Sequence, residues 1–326
     1  MRRVLAIVVV LVLGLGIWLA YGLLLPISPA APISVLLRPG WSARRIGREL
    51  KAAGVIRSAG AFAFLHYVTP RKSLKAGEYR FDSALNAIQV RDRLAHGDIF
   101  THTVVVPEGY NMFDIAQAVQ DAGLGNAQEF LKLARSETAL IHDLDPQAQT
   151  LEGYLFPDTY QFTRTQNMHD IVATMVKRFE QEARAIGLHG NVHTVVTMAS
   201  IVEKETATPE ERATVASVYH NRLEHHMGLA ADPTVVYAAL LAGRYRGTIY
   251  QSDLQADSPY NTYKYAGLPP GPIANPGVAS LQAAMNPAKT DYLYFVADGR
   301  GSGHHRFSRN YEEHEKNVLA YRRAQR

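Results

Sequence analysis

Residues 192–211 read VHTVVTMASIVEKETATPEE. Val192, Val195, Val196, Ala199 and Val202 recur at helical spacing, which predicts a helix with a buried face that ends at Glu205. Thr208-Pro209-Glu210-Glu211 starts the next one: Thr208 as N-cap, Pro209 at the first helical position, and Glu211 three residues on to close a capping box. That helix is expected to run to about His226, and another precedes the pair over about Met168 to Ile186. Residues 151–326 therefore read as a mainly helical domain. It is punctuated by the aromatic stretch from Leu151 to Tyr160, a long ordered loop over Tyr260 to Gly277 and a short apolar strand over Tyr292 to Ala297. A polar helix carrying Arg322, Arg323 and Arg326 closes it.

Upstream, residues 33–150 have a different texture. Gly40-Trp41-Ser42, Ile46, Leu50 and Ala53-Gly54-Val55 are echoed by Gly109-Tyr110-Asn111, Ile115, Val119 and Ala122-Gly123-Leu124. Each copy opens on a β-rich run (Ile33 to Leu37; Thr103 to Val106), passes through turn residues and an N-cap, and continues as an amphipathic helix stopped by glycine. Gly77 to Phe81 alternates like a strand and Ala87 to His96 reads as a helix. The expected class is α+β. Either the module is duplicated or two unrelated β–helix units share common capping chemistry.

Residues 1–32 form a tip, an apolar helix and a stalk. Val4 to Leu25 carries no charge and is long enough for a helix to cross a bilayer core of about 30 Å. Trp18 and Tyr21 fall at its far end, where interfacial aromatics belong, and Arg2 and Arg3 hold the near end in the cytoplasm. The other reading is a cleaved signal peptide, but the run exceeds a usual hydrophobic region and Ser28-Pro29-Ala30 is a poor cleavage site. Pro26, Pro29 and Pro32 stiffen the stalk.

Composition narrows the chemistry. A formal charge of +4 is too small and too evenly spread for a dedicated nucleic-acid binder. The chain has 0 cysteines, which excludes disulfides, Cys-zinc sites, iron–sulfur clusters and thiol nucleophiles. His225-His226 and His304-His305 are adjacent pairs that share no helix face, and no His-Glu-x-x-His occurs, so no metal or cofactor is expected. Phosphate-loop, dinucleotide and nucleophile-elbow motifs are absent, and Ser200 lacks a local His partner.

The densest candidate is Ala199-Ser200-Ile201-Val202-Glu203-Lys204-Glu205-Thr206. Two glutamates at a helix C-terminus meet the negative end of the dipole, a local cost that raises a carboxyl pKa. They are either a functional pair or two solvated side chains with Lys204 between them. Ala231-Asp232-Pro233-Thr234 is an Asx turn capping a helix or a binding element. Tyr260-Asn261-Thr262-Tyr263 either stacks on and hydrogen-bonds a sugar or braces a loop.

Taken in order, these segments resemble the YceG-like endolytic murein transglycosylase family. The resemblance rests on Lys75-Ala76-Gly77-Glu78-Tyr79-Arg80-Phe81, on Gly153 to Tyr160, on Ala199 to Thr206 and on Ala231 to Val235. Tyr260 to Tyr263, Gly267 to Ile273 and Tyr292 to Ala297 extend it along the chain. It implies a LysM-like carbohydrate-binding module over 33–150 and a catalytic domain over 151–326. It also implies a single-pass inner-membrane protein with the bulk of the chain periplasmic, working on peptidoglycan glycan strands beside peptidoglycan synthases. The expected reaction is cleavage of the MurNAc–GlcNAc bond of nascent strands, leaving 1,6-anhydroMurNAc ends and terminating elongation. The family's catalytic glutamate is the one directly before Thr in Glu-Lys-Glu-Thr, here Glu205. Asp232, Tyr260, Asn261, Tyr263 and His305 are the residues expected to position sugars, and Glu203 is expected to be structural. The competing readings are a hydrolytic muramidase, with Glu203 or Asp232 activating water, and a non-catalytic wall-binding scaffold.

Overall fold

The computed structural model describes residues 1–69 and 73–325. Arg326, read from the sequence as part of the last helix, lies outside them. Contacts divide the chain into two compact units, Met1–Thr103 with Gln161–Asn167, and Val104–Tyr160 with Met168–Arg326.

The first unit begins with α1 (Arg2–Leu24), an exposed apolar helix long enough to cross a membrane. It continues through β1 (Ile33–Leu37), α2 (Ala43–Ala52), α3 (Ala59–Val68), β2 (Gly77–Phe81) and α4 (Ala87–His96). β1 and β2 pair antiparallel with Val35 opposite Tyr79. Ser42 and Ser58 cap α2 and α3, and Asn86 with Gln89 forms a capping box on α4. Leu37, Leu50, Phe62, Tyr79, Val90 and Leu94 form the centre of a fully buried core. The Tyr79 hydroxyl donates to the carbonyls of Lys75 (2.9 Å) and Leu94 (3.3 Å), so the core's one large polar tip is satisfied.

β3 (His102–Val105) pairs with β4 (Thr159–Phe162), and the chain passes between the units within these two strands. α5 (Met112–Asp121) and α6 (Ala127–Ser136) lie between them in sequence. The order β–α–α–β thus occurs twice, and the backbone repeats with it. Gly40 and Gly109 have φ of 79° and 78°, and Gly54 and Gly123 have φ of 75° and 71°, left-handed turns that favour glycine. The Val55 amide reaches the Leu50 carbonyl as the Leu124 amide reaches that of Val119. The faint sequence echo is a repeat of conformation as well.

The second copy's helices belong to the larger unit, so contacts do not thin near residue 150, where the sequence suggested a boundary. Side chains explain why. The buried Glu152 carboxylate accepts from the Met112 amide at 2.9 Å, the Tyr237 hydroxyl at 2.9 Å and the Asn275 amide at 2.8 Å. Asn275 also exchanges backbone bonds with Gly109 and Tyr110 and accepts from the Leu155 amide (2.8 Å). Burial pushes the Glu152 carboxyl up to about 7, against these donors, which pull it down.

The rest of the unit comprises α7 (Met168–Ala185), α8 (Val192–Glu205), α9 (Arg212–Glu224), α10 (Asp232–Leu241), α11 (Gln251–Leu254) and α12 (Val278–Met285). The hairpin β5 (Tyr294–Ala297) with β6 (His305–Ser308) and then α13 (Tyr311–Ala324) close it. α8 is the central element. Every residue from Val196 to Val202 is buried, on all faces rather than the single face its periodicity suggests, because α9, α10 and α12 pack around it. Ser200 is structural: its hydroxyl donates to the Thr197 carbonyl (2.7 Å) and accepts from the Ile273 amide (3.0 Å).

The predicted capping box at Thr208 does not form. Pro209–Glu211 is a 3₁₀ turn without a side-chain cap, and α9 begins only at Arg212. Glu211 instead accepts from the His305 backbone amide (3.0 Å) and lies 2.8 Å from the imidazole Nδ1 of His305, while the Thr208 hydroxyl donates to the Gly303 carbonyl (3.0 Å). A local pattern has lost its acceptor to a distant hairpin.

Gly153 fixes the aromatic stretch against α8. It has φ of 90°, and a Cβ there would lie 2.5 Å from Pro272 Cγ and 2.8 Å from Val196 Cγ1. Gly153→Ala should destabilise the protein by roughly 2–4 kcal/mol, from left-handed strain plus overpacking. Denaturant unfolding at neutral pH measures it, and a change under about 0.5 kcal/mol contradicts the close approach.

Candidate active site

An α-helix turns by about 100° per residue, so three consecutive side chains at its end point to three different places. Glu203 accepts from Arg212 (3.0 Å) and from the Gly277 amide (2.9 Å). Lys204 donates to the Gly109 carbonyl (3.1 Å). Glu205 faces an open cavity of about 380 Å³. The two glutamates lie about 200° apart around the axis. They are therefore not a working pair, and Glu203 is consumed by holding α9 and the 273–277 loop.

The cavity is built by elements distant in sequence. Tyr219 and Arg222 come from α9 one turn apart, Asp232 from the first turn of α10 and Tyr263 from the loop after α11. Tyr294 and Phe295 come from β5, and Tyr311 and His314 from α13. Tyr219 is buried and hydrogen-bonds the Glu205 carboxyl through its hydroxyl. Arg222 is fixed by two carbonyls, Leu293 through Nε (2.7 Å) and Leu229 through Nη1 (2.7 Å), and lies 5.2 Å above the Tyr294 ring centre. The His314 ring stacks on Tyr294, with ring centres 5.1 Å apart and 23° from parallel.

Burial pushes the Glu205 carboxyl up to about 7. The negative charge of Asp232 adds to that, while the Tyr219 hydroxyl and the Arg222 charge oppose it. Glu203, expected from the sequence to contribute, is not among the causes, since it points away. Burial likewise raises the Tyr219 hydroxyl well above its ordinary value, with the Glu205 charge second.

Of the sequence-predicted site residues, Glu205, Asp232 and Tyr263 meet at the cavity. Asp232 is the first residue of α10 and makes no cap; its carboxylate accepts from the Tyr263 hydroxyl at 2.6 Å. It also lines a second cavity of about 270 Å³ with Lys204, Tyr237 and Tyr245. Asn261 is fully buried, and its side-chain amide donates to the carbonyls of Leu254 and Ala256, both at 2.9 Å. It braces the loop and does not line the Glu205 cavity. Tyr260 packs on Tyr237 with ring centres 5.1 Å apart, outside the Glu205 cavity. His305 sits behind Phe295, edge to face at 5.3 Å, and is held by Glu211. The described residues contain no cluster of three or more His, Asp or Glu able to hold a metal ion.

Sequence reasoning missed Tyr219, Arg222, Tyr294 and His314. The one local signal was Tyr219 and Arg222 at i and i+3, two polar-tipped side chains on one face of a helix. Thr262 was passed over too: its hydroxyl accepts from the Ala231 amide (3.0 Å) and lies 2.8 Å from that of Thr234, so it sets Tyr263 beside Asp232.

The raised carboxyl fixes the sign of a pH effect. Between about pH 4.5 and 7 the unfolded chain loses the Glu205 proton while the folded protein keeps it, so Glu205 costs stability as pH rises. Glu205→Gln should match wild type near pH 4 and exceed it by up to about 2–3 kcal/mol near pH 8. Chemical unfolding at both pH values checks this, and a variant less stable at the higher pH refutes the assignment.

The comparisons with known proteins agree with this architecture. The YceG-like family profile matches residues 35–320. An endolytic murein transglycosylase of Bacillus subtilis is 34% identical over 307 residues, covering 87% of this chain and 83% of its own length. One of Streptococcus pneumoniae is 30% identical over 332 residues, and the match spans 91% of this chain and 60% of that longer protein. The crystal structure of a YceG-like protein from Listeria monocytogenes superposes with a TM-score of 0.57 at 35% identity, covering 87% of this chain and 98% of that one. By family profile, relatives and fold together, the chain belongs to the YceG-like family.

Proposed function

We propose that the protein is an endolytic lytic transglycosylase of peptidoglycan, a lyase with Glu205 as its single acid–base group. The observation that carries the reading is one carboxyl at the end of a buried helix, held near neutrality and facing a cavity walled by aromatic side chains. Protonated Glu205 donates to the glycosidic oxygen between MurNAc and GlcNAc. The muramic acid's own C6 hydroxyl attacks C1, the C1–O bond to the leaving sugar breaks, and the Glu205 carboxylate takes the hydroxyl proton. The 1,6-anhydro ring closes, no water is consumed, and Glu205 returns to its starting state. Tyr219 tunes it, and Arg222 stands beside the charge formed after donation.

Tyr263 and Phe295 offer apolar faces for pyranose rings, and Asp232, oriented by Tyr263, offers an acceptor to sugar hydroxyls. Asp232 also supports a second reading, a hydrolytic muramidase, because a second carboxylate on the cavity suits water activation. Reducing muramic ends among the products select that reading.

The β1–α2–α3–β2 order with its antiparallel pair supports a LysM-like, glycan-holding role for the first unit. The apolar helix α1 supports a single-pass inner-membrane anchor with the remainder periplasmic, beside synthases that supply nascent strands. A periplasm-dependent reporter fused after Arg326 should be active and the mature protein should keep its N-terminus; a soluble species starting near residue 30 refutes the anchor.

Mass spectrometry of digested glycan strands provides the central test. Wild type should leave 1,6-anhydroMurNAc ends. Glu205→Gln should lose activity by at least about 10²–10⁴-fold while still binding strands, with Glu203→Gln retaining more. Strand binding with no cleavage by wild type selects the scaffold reading. The rate of wild type should fall as pH rises through about 7, where Glu205 ionises. Tyr219→Phe removes a bond that favours the carboxylate and should move that fall to higher pH.

A further inference from the structure

α3 carries no Asp, Glu, Lys or Arg over its 10 residues, AGAFAFLHYV, yet much of it is uncovered. Phe64, Tyr67 and Val68 are 45%, 57% and 56% exposed. At 10 residues it is too short to cross a bilayer. It packs instead against the last turns of α1. A Cβ on Gly22 would lie 2.8 Å from that of Ala61, and one on Gly60 would lie 3.2 Å from the Trp18 indole, so glycine permits both approaches. Arg57 locks the same corner, bonding the carbonyls of Leu25 (3.4 Å) and Pro26 (3.1 Å) with its guanidinium 5.3 Å over the Tyr21 ring. Trp18 is six residues, roughly 9 Å, from the end of α1. With α1 across a membrane, α3 lies at the boundary between acyl chains and headgroups.

Beside that apolar helix is an open groove of about 680 Å³. Arg44 and Arg48, one turn apart on α2, form one wall, and Gly60, Phe64 and Tyr67 of α3 form the other. Among the described residues no acidic side chain lines it. Arg44 lies 5.8 Å over the Tyr67 ring, which leaves the edge of the guanidinium to make hydrogen bonds. A paired cationic wall facing an apolar wall has the polarity of a phospholipid at its ester level. Phosphate meets the guanidinium forks and the first acyl carbons meet Phe64.

We infer that the α2–α3 groove is a binding site for the headgroup of an anionic phospholipid, and that α3 is a second, interfacial contact with the membrane. This rests on reading α1 as a transmembrane anchor. Two arginines at an anionic surface supply about a tenfold to thirtyfold preference over a zwitterionic one.

The chain's lack of cysteine makes the test clean. Val68→Cys in the full-length protein takes a nitroxide, and the protein is reconstituted in phosphatidylglycerol or phosphatidylcholine nanodiscs. In phosphatidylglycerol the label should be relaxed by lipid-dissolved oxygen and shielded from an aqueous nickel chelate. The balance should shift towards nickel in phosphatidylcholine, and in phosphatidylglycerol when Arg44→Gln and Arg48→Gln are added. A nickel-accessible label in correctly inserted protein overturns the inference and leaves the anchor standing. A lipid-shielded label indifferent to headgroup and to both arginines also overturns the headgroup site. Failure of the protein to enter nanodiscs through α1 refutes the anchor itself. Circular dichroism of the double variant confirms that the first unit is folded.

Discussion

One constraint organises the larger unit: a helix buried on every side must still deliver charged residues where it ends. α8 is buried on all faces from Val196 to Val202 and reaches charged residues only at its end, Glu203, Lys204 and Glu205. Its rotation distributes them to an arginine, a carbonyl and a cavity. The first two contacts draw in α9, the 273–277 loop and the turn at Gly109, and so hold the helix end still. Only then can the third carboxyl be kept partly dry without the surroundings relaxing towards it. The altered acidity of Glu205 is thus a property of how α8 is buried, more than of the dipole at its terminus.

The aromatic wall around the cavity has its own support. Arg222 takes two backbone carbonyls instead of a carboxylate, which fixes the β5 edge through Leu293 and the α9–α10 turn through Leu229. Tyr294 contacts both Arg222 and His314. These contacts order the ring faces before any sugar arrives, and a preordered site loses less entropy on binding. Thr262 and Asn261 do the same for Tyr263 from inside the neighbouring loop.

Much of this could be read from the residues alone. The ends of α8, the strand over residues 77–81 and the repeated turn glycines were legible because their causes are local: apolar spacing, alternation and the need for positive φ. Glu203 and Glu205 stood out because a carboxylate is unfavourable at a helix end, but that cost applies to both, and only the resemblance, through the Thr that follows, singled out Glu205. What distance in sequence conceals is different in kind. Tyr219 looks like core because it is core, with only its hydroxyl engaged in the site. Asn261 looked like a sugar ligand because an amide among tyrosines serves either purpose, and only the carbonyls of a neighbouring turn decide between them. Glu211 satisfied the capping pattern, but a hairpin almost a hundred residues away supplied better donors.

The two β–α–α–β segments differ most in how they return to their last strand. In the first, residues 69–76 connect α3 to β2; in the second, residues 137–158 connect α6 to β4. The longer excursion carries Glu152 and Gly153, the groups that pin the second copy to α8 and α10. The first segment packs around the core of the smaller unit, while the helices of the second are built into the larger one. The resemblance between the two segments ends at the return path. A substitution in the long return therefore meets side chains of α8 and α10, as the close approach of Gly153 to Val196 and the bond from Tyr237 to Glu152 require.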